Sequence, residues 1–107
     1  MEGKRPVVLT RLASEQVTYI QQHILEEEGQ EEAQAFIDDF LDVAFGDIAF
    51  YPDQFSRCPI RLGSAYPYRM AHLLGQYRLI FQVLPAQILV LLVLHRDELP
   101  FEEEGEE

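Results

Sequence analysis

Apolar and polar residues follow two different rhythms along this chain, and the change between them falls near its middle. Pro6, Val7, Val8, Leu9 and Thr10 form a short apolar run rich in β-branching, which predicts a first strand closed by a threonine able to cap a helix. From Ala13 the apolar positions fall at Ala13, Val17, Ile20 and Ile24, a helical stripe that turns Glu15, Gln16, Gln21 and Gln22 away from the core. That helix is predicted to stop near Glu28 and Gly29, because glycine closes a helix at least cost. Ala33, Phe36, Ile37, Phe40, Leu41, Ala44, Phe45 and Ile48 keep a three-and-four rhythm with acids between them and predict a second helix bounded by Pro52. Phe36, Phe40 and Phe45 sit in that rhythm among aliphatics, so they read as core rather than as an aromatic binding stripe. Gly29 leaves only a short connection, so the two helices fold back as an antiparallel hairpin.

The period then drops to two. Tyr51 to Pro67 carries three prolines, a glycine, Ser56 and Ser64, which is loop chemistry anchored by Phe55 and Ile60. Tyr68 to Leu73 reads as a strand, Gly75 and Gln76 as a turn, and Tyr77 to Leu84 as a strand that alternates Tyr77, Leu79, Phe81 and Val83 against Arg78, Ile80, Gln82 and Leu84. Pro85 and Ala86 make the next turn, and Gln87 to Arg96 the last strand. Ile88 to Leu94 is apolar at every position, the signature of a strand covered on both sides, yet two helices cover only one side. The other side is predicted to expose a hydrophobic groove flanked by arginines, the kind of patch that marks a partner site. The fold class is therefore α+β in the order β-α-α-β-β-β, with a two-helix antiparallel hairpin packed on one face of a mainly antiparallel sheet. Residues 1–97 are read as a single domain and residues 98–107 as an acidic, disordered tail.

Composition narrows the functional classes. At 107 residues the chain supports one core. Ile88 to Leu94 is far shorter than the roughly 20 residues that span a bilayer, and the apolar stretch at Pro6 to Leu9 is cut short by Thr10 and Arg11, so a soluble, cytoplasmic protein without a membrane role is expected. Cys58 is the only cysteine, which excludes an intrachain disulfide and thiolate zinc sets. His23 and His72 lie on different elements and, with Cys58, lack a ligand spacing, so neither a metal nor another cofactor is expected. The net charge of −11 argues against direct nucleic-acid binding. It is also segregated: residues 12–53 carry eleven acids and no lysine or arginine, residues 54–96 carry five arginines and no acid, and the tail from Asp97 holds seven acids.

Four patterns in this order resemble the RelE/ParE superfamily of toxins from bacterial toxin–antitoxin operons. They are V-V-L-T-x-x-A at Val7 to Ala13; A-x-A-F-I at Ala33 to Ile37, running on to F-Y-P at Phe50 to Pro52; G-x-Y-R-L-I-F at Gly75 to Phe81; and V-L-H-R-D at Val93 to Asp97. Together they span residues 7 to 97. The resemblance implies either messenger-RNA cleavage on the ribosome, as in RelE-like members, or inhibition of DNA gyrase without cleavage, as in ParE-like members of the plasmid-stabilisation type. In both branches an antitoxin silences the toxin. RelE-like nucleases resemble one another in basic sheet residues and often a tyrosine or histidine near the C-terminus. Here the last tyrosine is Tyr77, Phe101 stands in the tail, no lysine follows Lys4 and the charge is acidic, which favours the ParE-like branch.

The sequence thus predicts a type II toxin that acts by binding a topoisomerase rather than by its own catalysis, and that forms a hetero-oligomer with its cognate antitoxin. Arg61, Arg69, Arg78, Ile80, Leu92 and Arg96 are the expected partner-binding residues, with Arg69 and Arg78 meeting antitoxin acids; the structural alternative for Arg78 is a salt bridge within the fold. Should the chain be an endoribonuclease instead, His95 would move protons while Arg61, Arg78 and Arg96 held the phosphate. A strand-end histidine bonded to a loop carbonyl is the structural alternative for His95. A third reading is a non-toxic interaction module on the same scaffold. The acidic runs at Glu26 to Glu28 and Glu31 to Glu32 read as a solvated helix end, with DNA mimicry as the sharper alternative, and the tail as a tethered competitor for the cationic sheet.

Overall fold

Thr10 ties three elements together. Its hydroxyl accepts from the Ala13 N–H at 3.0 Å and donates to the Leu91 carbonyl at 3.3 Å, while its own N–H donates to the Val90 carbonyl at 3.0 Å. In the computed structural model, which describes residues 5–58 and 66–99, these bonds join strand β1 (Val7–Leu9), helix α1 (Arg11–Glu28) and the final strand β5 (Ile88–His95). Ile60, Arg61 and the tail from Pro100, Phe101 included, lie outside the described residues.

Gly29 takes a φ of 108° and donates its N–H to the Ile24 carbonyl, ending α1; helix α2 (Gln30–Asp42) starts at the next residue. A side chain there would be strained by that backbone angle. Ala13, Ile20 and Ile24 of α1 and Ala33, Phe36 and Phe40 of α2 are buried, as their periodicity predicts. Gln16 departs from the prediction: its amide oxygen accepts the Val93 N–H at 2.8 Å, so it faces the sheet. The reason is the brevity of β1, which pairs with β5 only from Ile88 to Val90 and leaves later donors of β5 to be met by α1.

The end of the hairpin also departs from a plain helix. From Phe36 the buried positions run Phe36, Phe40, Ala44 and Ile48, always four apart. In an α-helix each such step drifts by about 40°, so the stripe would leave the core. A π-helical turn over Val43–Asp47, in which the Ile48 N–H reaches back to the Val43 carbonyl, takes up the extra residue and returns Ile48 to the core, followed by a short helix α3 (Ile48–Phe50). The turn leaves Leu41 47% and Phe45 39% exposed, contrary to the core role predicted for Phe45.

The expected loop after Pro52 holds a 3₁₀ turn (Pro52–Gln54) and a two-residue edge strand, β2 (Ser56–Arg57). Strands β3 (Tyr68–Leu73), β4 (Tyr77–Val83) and β5 follow as an antiparallel meander, and the sheet order is β1-β5-β4-β3-β2 with β1 parallel to β5. The helical hairpin is the crossover that makes β1 parallel. The β3–β4 turn falls one residue earlier than predicted: Leu74 (φ 51°) and Gly75 (φ 73°) are both left-handed, and the Leu74 N–H bonds to the Asp39 carboxylate at 3.0 Å, tying the turn to α2.

Candidate functional site

Alternation along β4 decides what each face of the sheet carries. Tyr77, Leu79, Phe81 and Val83 face the helices, as predicted, and join Phe36, Ile48, Ile88, Val90 and Val93 in the main core. Arg78, Ile80 and Gln82 face the other way. Their cross-strand partners Leu94, Leu92 and Leu89 share that side, as do His72, Met70 and Tyr68 on β3. A bulge between Ile80 and Phe81 leaves Leu91 as the extra residue of β5, packed on this second face.

The helices do leave the second face uncovered, but the bare groove expected there is not what the chain builds. Ile80 is only 1% exposed, at the centre of a small second core with Cys58 and Tyr68, against which Met70, Leu91, Leu92 and Leu99 pack. Segments outside the sheet, Cys58 after β2 and Leu99 after β5, contribute to this cover. Half-buried Met70, Leu89, Leu91, Leu92 and Leu94 remain around it. Ile80 is therefore not presented to a partner in the isolated chain, whereas Leu92 is in part.

Arg78, also expected at a partner surface, is 4% exposed; its guanidinium donates to the Tyr77 carbonyl at 3.0 Å and the Gly75 carbonyl at 3.3 Å, among its contacts. A buried guanidinium needs acceptors for its N–H groups, and these two carbonyls belong to the turn and the residue after it, so this arginine braces the β3–β4 turn. Arg69 lies on the opposite face, level with Phe81, and does not share a groove with Arg78. It donates to the Phe55 carbonyl and stands 3.8 Å from Asp53, a local acid that the sequence reading did not assign to it. Phe55 in turn packs edge-on against Phe81 at 5.6 Å, so Arg69 clamps the segment before β2 to the sheet. Arg96 is exposed in a 3₁₀ turn (Arg96–Glu98), and its backbone N–H donates to the Gln76 carbonyl at 2.8 Å.

His95 sits on the helix side of the sheet, opposite Tyr77, with the two rings edge-to-face at 5.4 Å. Its Nδ1 accepts the Asp97 N–H at 3.1 Å, and Glu98 accepts the His95 N–H at 3.2 Å, a reciprocal cap on the 3₁₀ turn. The expected bond to a loop carbonyl is thus a bond from a loop N–H. In the neutral ring the proton then resides on Nε2. His95 and Arg78 point to opposite sides of the sheet, and Arg61 lies outside the described residues, so the structure does not bring the candidate nuclease set together.

The residues that do converge around His95 were not all singled out by the sequence. Tyr19 and His23 on α1, Glu28 at its end, Gln76, Tyr77 and Glu98 line a cleft of about 370 Å³. Burial, and then the nearby carboxylates of Glu28 and Glu98, push the Tyr77 hydroxyl above its ordinary pKa of 10.0. Tyr19 and His23 are one helical turn apart, a signal present in the sequence; their meeting with His95 depends on the register of β5, which is not. Among the described residues no group of three histidine, cysteine or acidic side chains is placed to hold a metal ion. No helix among them is long and apolar enough to cross a membrane.

The sequence model of the family described as ParE toxin of type II toxin–antitoxin system, parDE, matches residues 7–100. Two solved structures are similar in fold. One, described as the chromosomal ParDE toxin–antitoxin system from P. aeruginosa, superposes with a TM-score of 0.69 at 18% identity, over 86% of this chain and 96% of that one. The other, described as the toxin–antitoxin complex RelBE2 from Mycobacterium tuberculosis, gives 0.58 at 20% identity, over 92% and 98% of the two chains. No curated protein matches at the level of sequence.

Proposed function

The chain belongs to the ParE toxin family of type II toxin–antitoxin systems, and from that membership we propose that it acts in the cytoplasm by binding and inhibiting a topoisomerase, DNA gyrase, and is silenced by a cognate antitoxin. The observation that carries the non-catalytic reading is the separation of His95 from Arg78 across the sheet. RNA cleavage by attack of the 2′-hydroxyl needs a proton-transfer group and a phosphate-holding cation around one reacting atom. The two side chains lie on opposite faces of the sheet, Arg78 is buried and spent on backbone carbonyls, and Arg96, next to His95 in the chain, is not among the described residues that line the cleft at the His95 ring.

Silencing works by occlusion of the second face. An apolar antitoxin segment lies over Leu89, Leu91, Leu92 and Leu94, where half-buried leucines remain to be covered, and its acids meet Arg96 at the rim. To reach Ile80 the segment must also displace Leu99. The two structural neighbours are described as a toxin–antitoxin system and a toxin–antitoxin complex, which supports a toxin held by an antitoxin.

Induced expression with mapping of transcript ends and of the DNA-damage response tests this function. Intact messages with a DNA-damage response are expected. Codon-positioned cuts assign a ribosome-dependent nuclease instead, and unimpeded growth a non-toxic module. For the antitoxin face, Leu92→Asp and Arg96→Glu are expected to reduce co-purification with the product of the adjacent gene at least about tenfold while the protein stays folded. Wild-type recovery of both variants excludes this surface.

A further inference from the structure

The cleft around His95 lies on the other side of the sheet from the antitoxin face and is left unused by that reading. One wall is the pair Tyr19 and His23, whose rings are parallel to within 10° with centroids 6.2 Å apart; Tyr19 is 69% exposed. Tyr77 and His95 form another wall, and Glu28 and Glu98 complete the lining with Ile20 and Gln76. Two smaller depressions share lining residues with the cleft along α1, one reaching Glu15, Gln16 and Val93, the other Glu32 and Leu74. Among the described residues no lysine or arginine lines any of the three.

This is a shaped concavity and not a scatter of surface acids. The Glu98 carboxylate is held in place because it accepts the His95 N–H, within a turn whose other half is the His95 ring itself. Glu28 stands in the last turn of α1, which contains no basic residue, so its charge adds to the negative end of the helix dipole. Among the described residues neither Glu28 nor Glu98 forms an ion pair. The two carboxylates and the helix end together present negative charge to the cleft, which a cation complements.

The cation must also satisfy aromatic walls. A guanidinium is planar, weakly hydrated, stacks on rings and bonds carboxylates with a rigid fork of donors, whereas an ammonium is a compact, strongly hydrated point charge. The depressions at both ends give a connected chain a way in and out along α1. We propose that this cleft is a docking site for an arginine side chain presented by a polypeptide partner. The proposal does not rest on the toxin reading.

The test is a titration of the full-length, isotope-labelled protein with a blocked Gly-Arg-Gly tripeptide, its lysine counterpart and free arginine, followed by NMR. The His23, His95 and Tyr19 ring signals are expected to shift saturably with the arginine peptide. Lysine peptide and free arginine are expected to bind at least about fivefold more weakly. Glu28→Gln and Glu98→Gln should each lower affinity about tenfold; the glutamine oxygen at position 98 still accepts the His95 N–H, so the turn survives. Tyr19→Ala should weaken binding without moving the melting temperature. Absence of ring shifts at millimolar arginine peptide, equal binding of the lysine peptide, or indifference to both glutamine variants overturns the proposal. Free arginine binding as tightly as the peptide overturns the polypeptide partner and leaves a small-molecule site.

Discussion

The two faces of the sheet are built to different standards. On the helix face, Tyr77, Leu79 and Phe81 meet a continuous apolar layer from α1, α2 and α3. The second face has Ile80 at its centre but is otherwise made of Arg78, Gln82, Tyr68, Met70 and leucines left half-open, and its cover includes single residues of connecting segments. Apolar area removed from water stabilises by about 25 cal/mol per Å² wherever it lies. What differs is the cost of exposing it again: the helix face opens only if the hairpin unfolds, whereas the second face opens if Leu99 and its neighbours move. A surface of the second kind suits a protein that exchanges its own cover for that of a partner.

The sharpest way to break this contrast is to truncate one large residue on each face. Phe81→Ala should cost about 4 kcal/mol and Leu92→Ala about 1 kcal/mol, read as midpoints of urea unfolding. Equal losses would mean that the second face is as much a core as the first. Ile80→Asp should behave like a core variant, losing about 4 kcal/mol or more because an unpaired carboxylate is buried; a folded, soluble product would show that the cover over Ile80 is loose. Arg69→Ala should lose about 1–2 kcal/mol by releasing the Phe55 carbonyl and leave antitoxin affinity unchanged, because its side chain lies on the helix side. Reduced affinity at unchanged stability would move Arg69 to the binding surface.

Two smaller effects sharpen the account of the cleft end. Tyr77 has its folded pKa raised above 10.0, chiefly by burial and then by Glu28 and Glu98. Its contribution to stability is therefore complete below pH 10.0, the unfolded value, and is lost as pH rises through the higher folded value. Tyr77→Phe should flatten the alkaline limb of stability against pH, and an unchanged limb would assign the loss to other groups. Leu74→Gly, at the left-handed position of the β3–β4 turn, should stabilise by about 0.5–1 kcal/mol by relieving backbone strain. Destabilisation would mean that the leucine side chain matters more to packing than its φ of 51° costs.

Much of the fold was legible because local rules and tertiary packing agree. Thr10 as a cap, Gly29 as the hairpin hinge and the alternation at Tyr77 to Val83 need only nearest neighbours to be read. Failures occurred where one local rule had two outcomes. A four-residue apolar repeat after Phe36 fits either a drifting α-helix or a π turn, and only the position of the sheet selects the second, which turns Phe45 outward. A glutamine on a helix reads as solvated until a short β1 leaves the Val93 N–H in need of an acceptor. The arginines were hardest: alternation puts Arg78 on the second face, but its burial and the placement of Arg69 on the other side depend on the paths of connecting chain. The family resemblance rests on residues spread over the whole chain and was legible early; the cleft joins Tyr19 to His95 across the sequence and was not.

The parallel pairing of β1 with β5 makes the first strand wait for the last, since Val7 meets Ile88 and Thr10 bonds to Leu91. While the ribosome is still extending the chain, the N-terminal strand has no neighbour and the hairpin has no finished sheet to rest on. A message broken before codon 88 therefore yields a product with neither a complete helix face nor a second face. Whatever this protein does to its cell begins only once translation has passed β5.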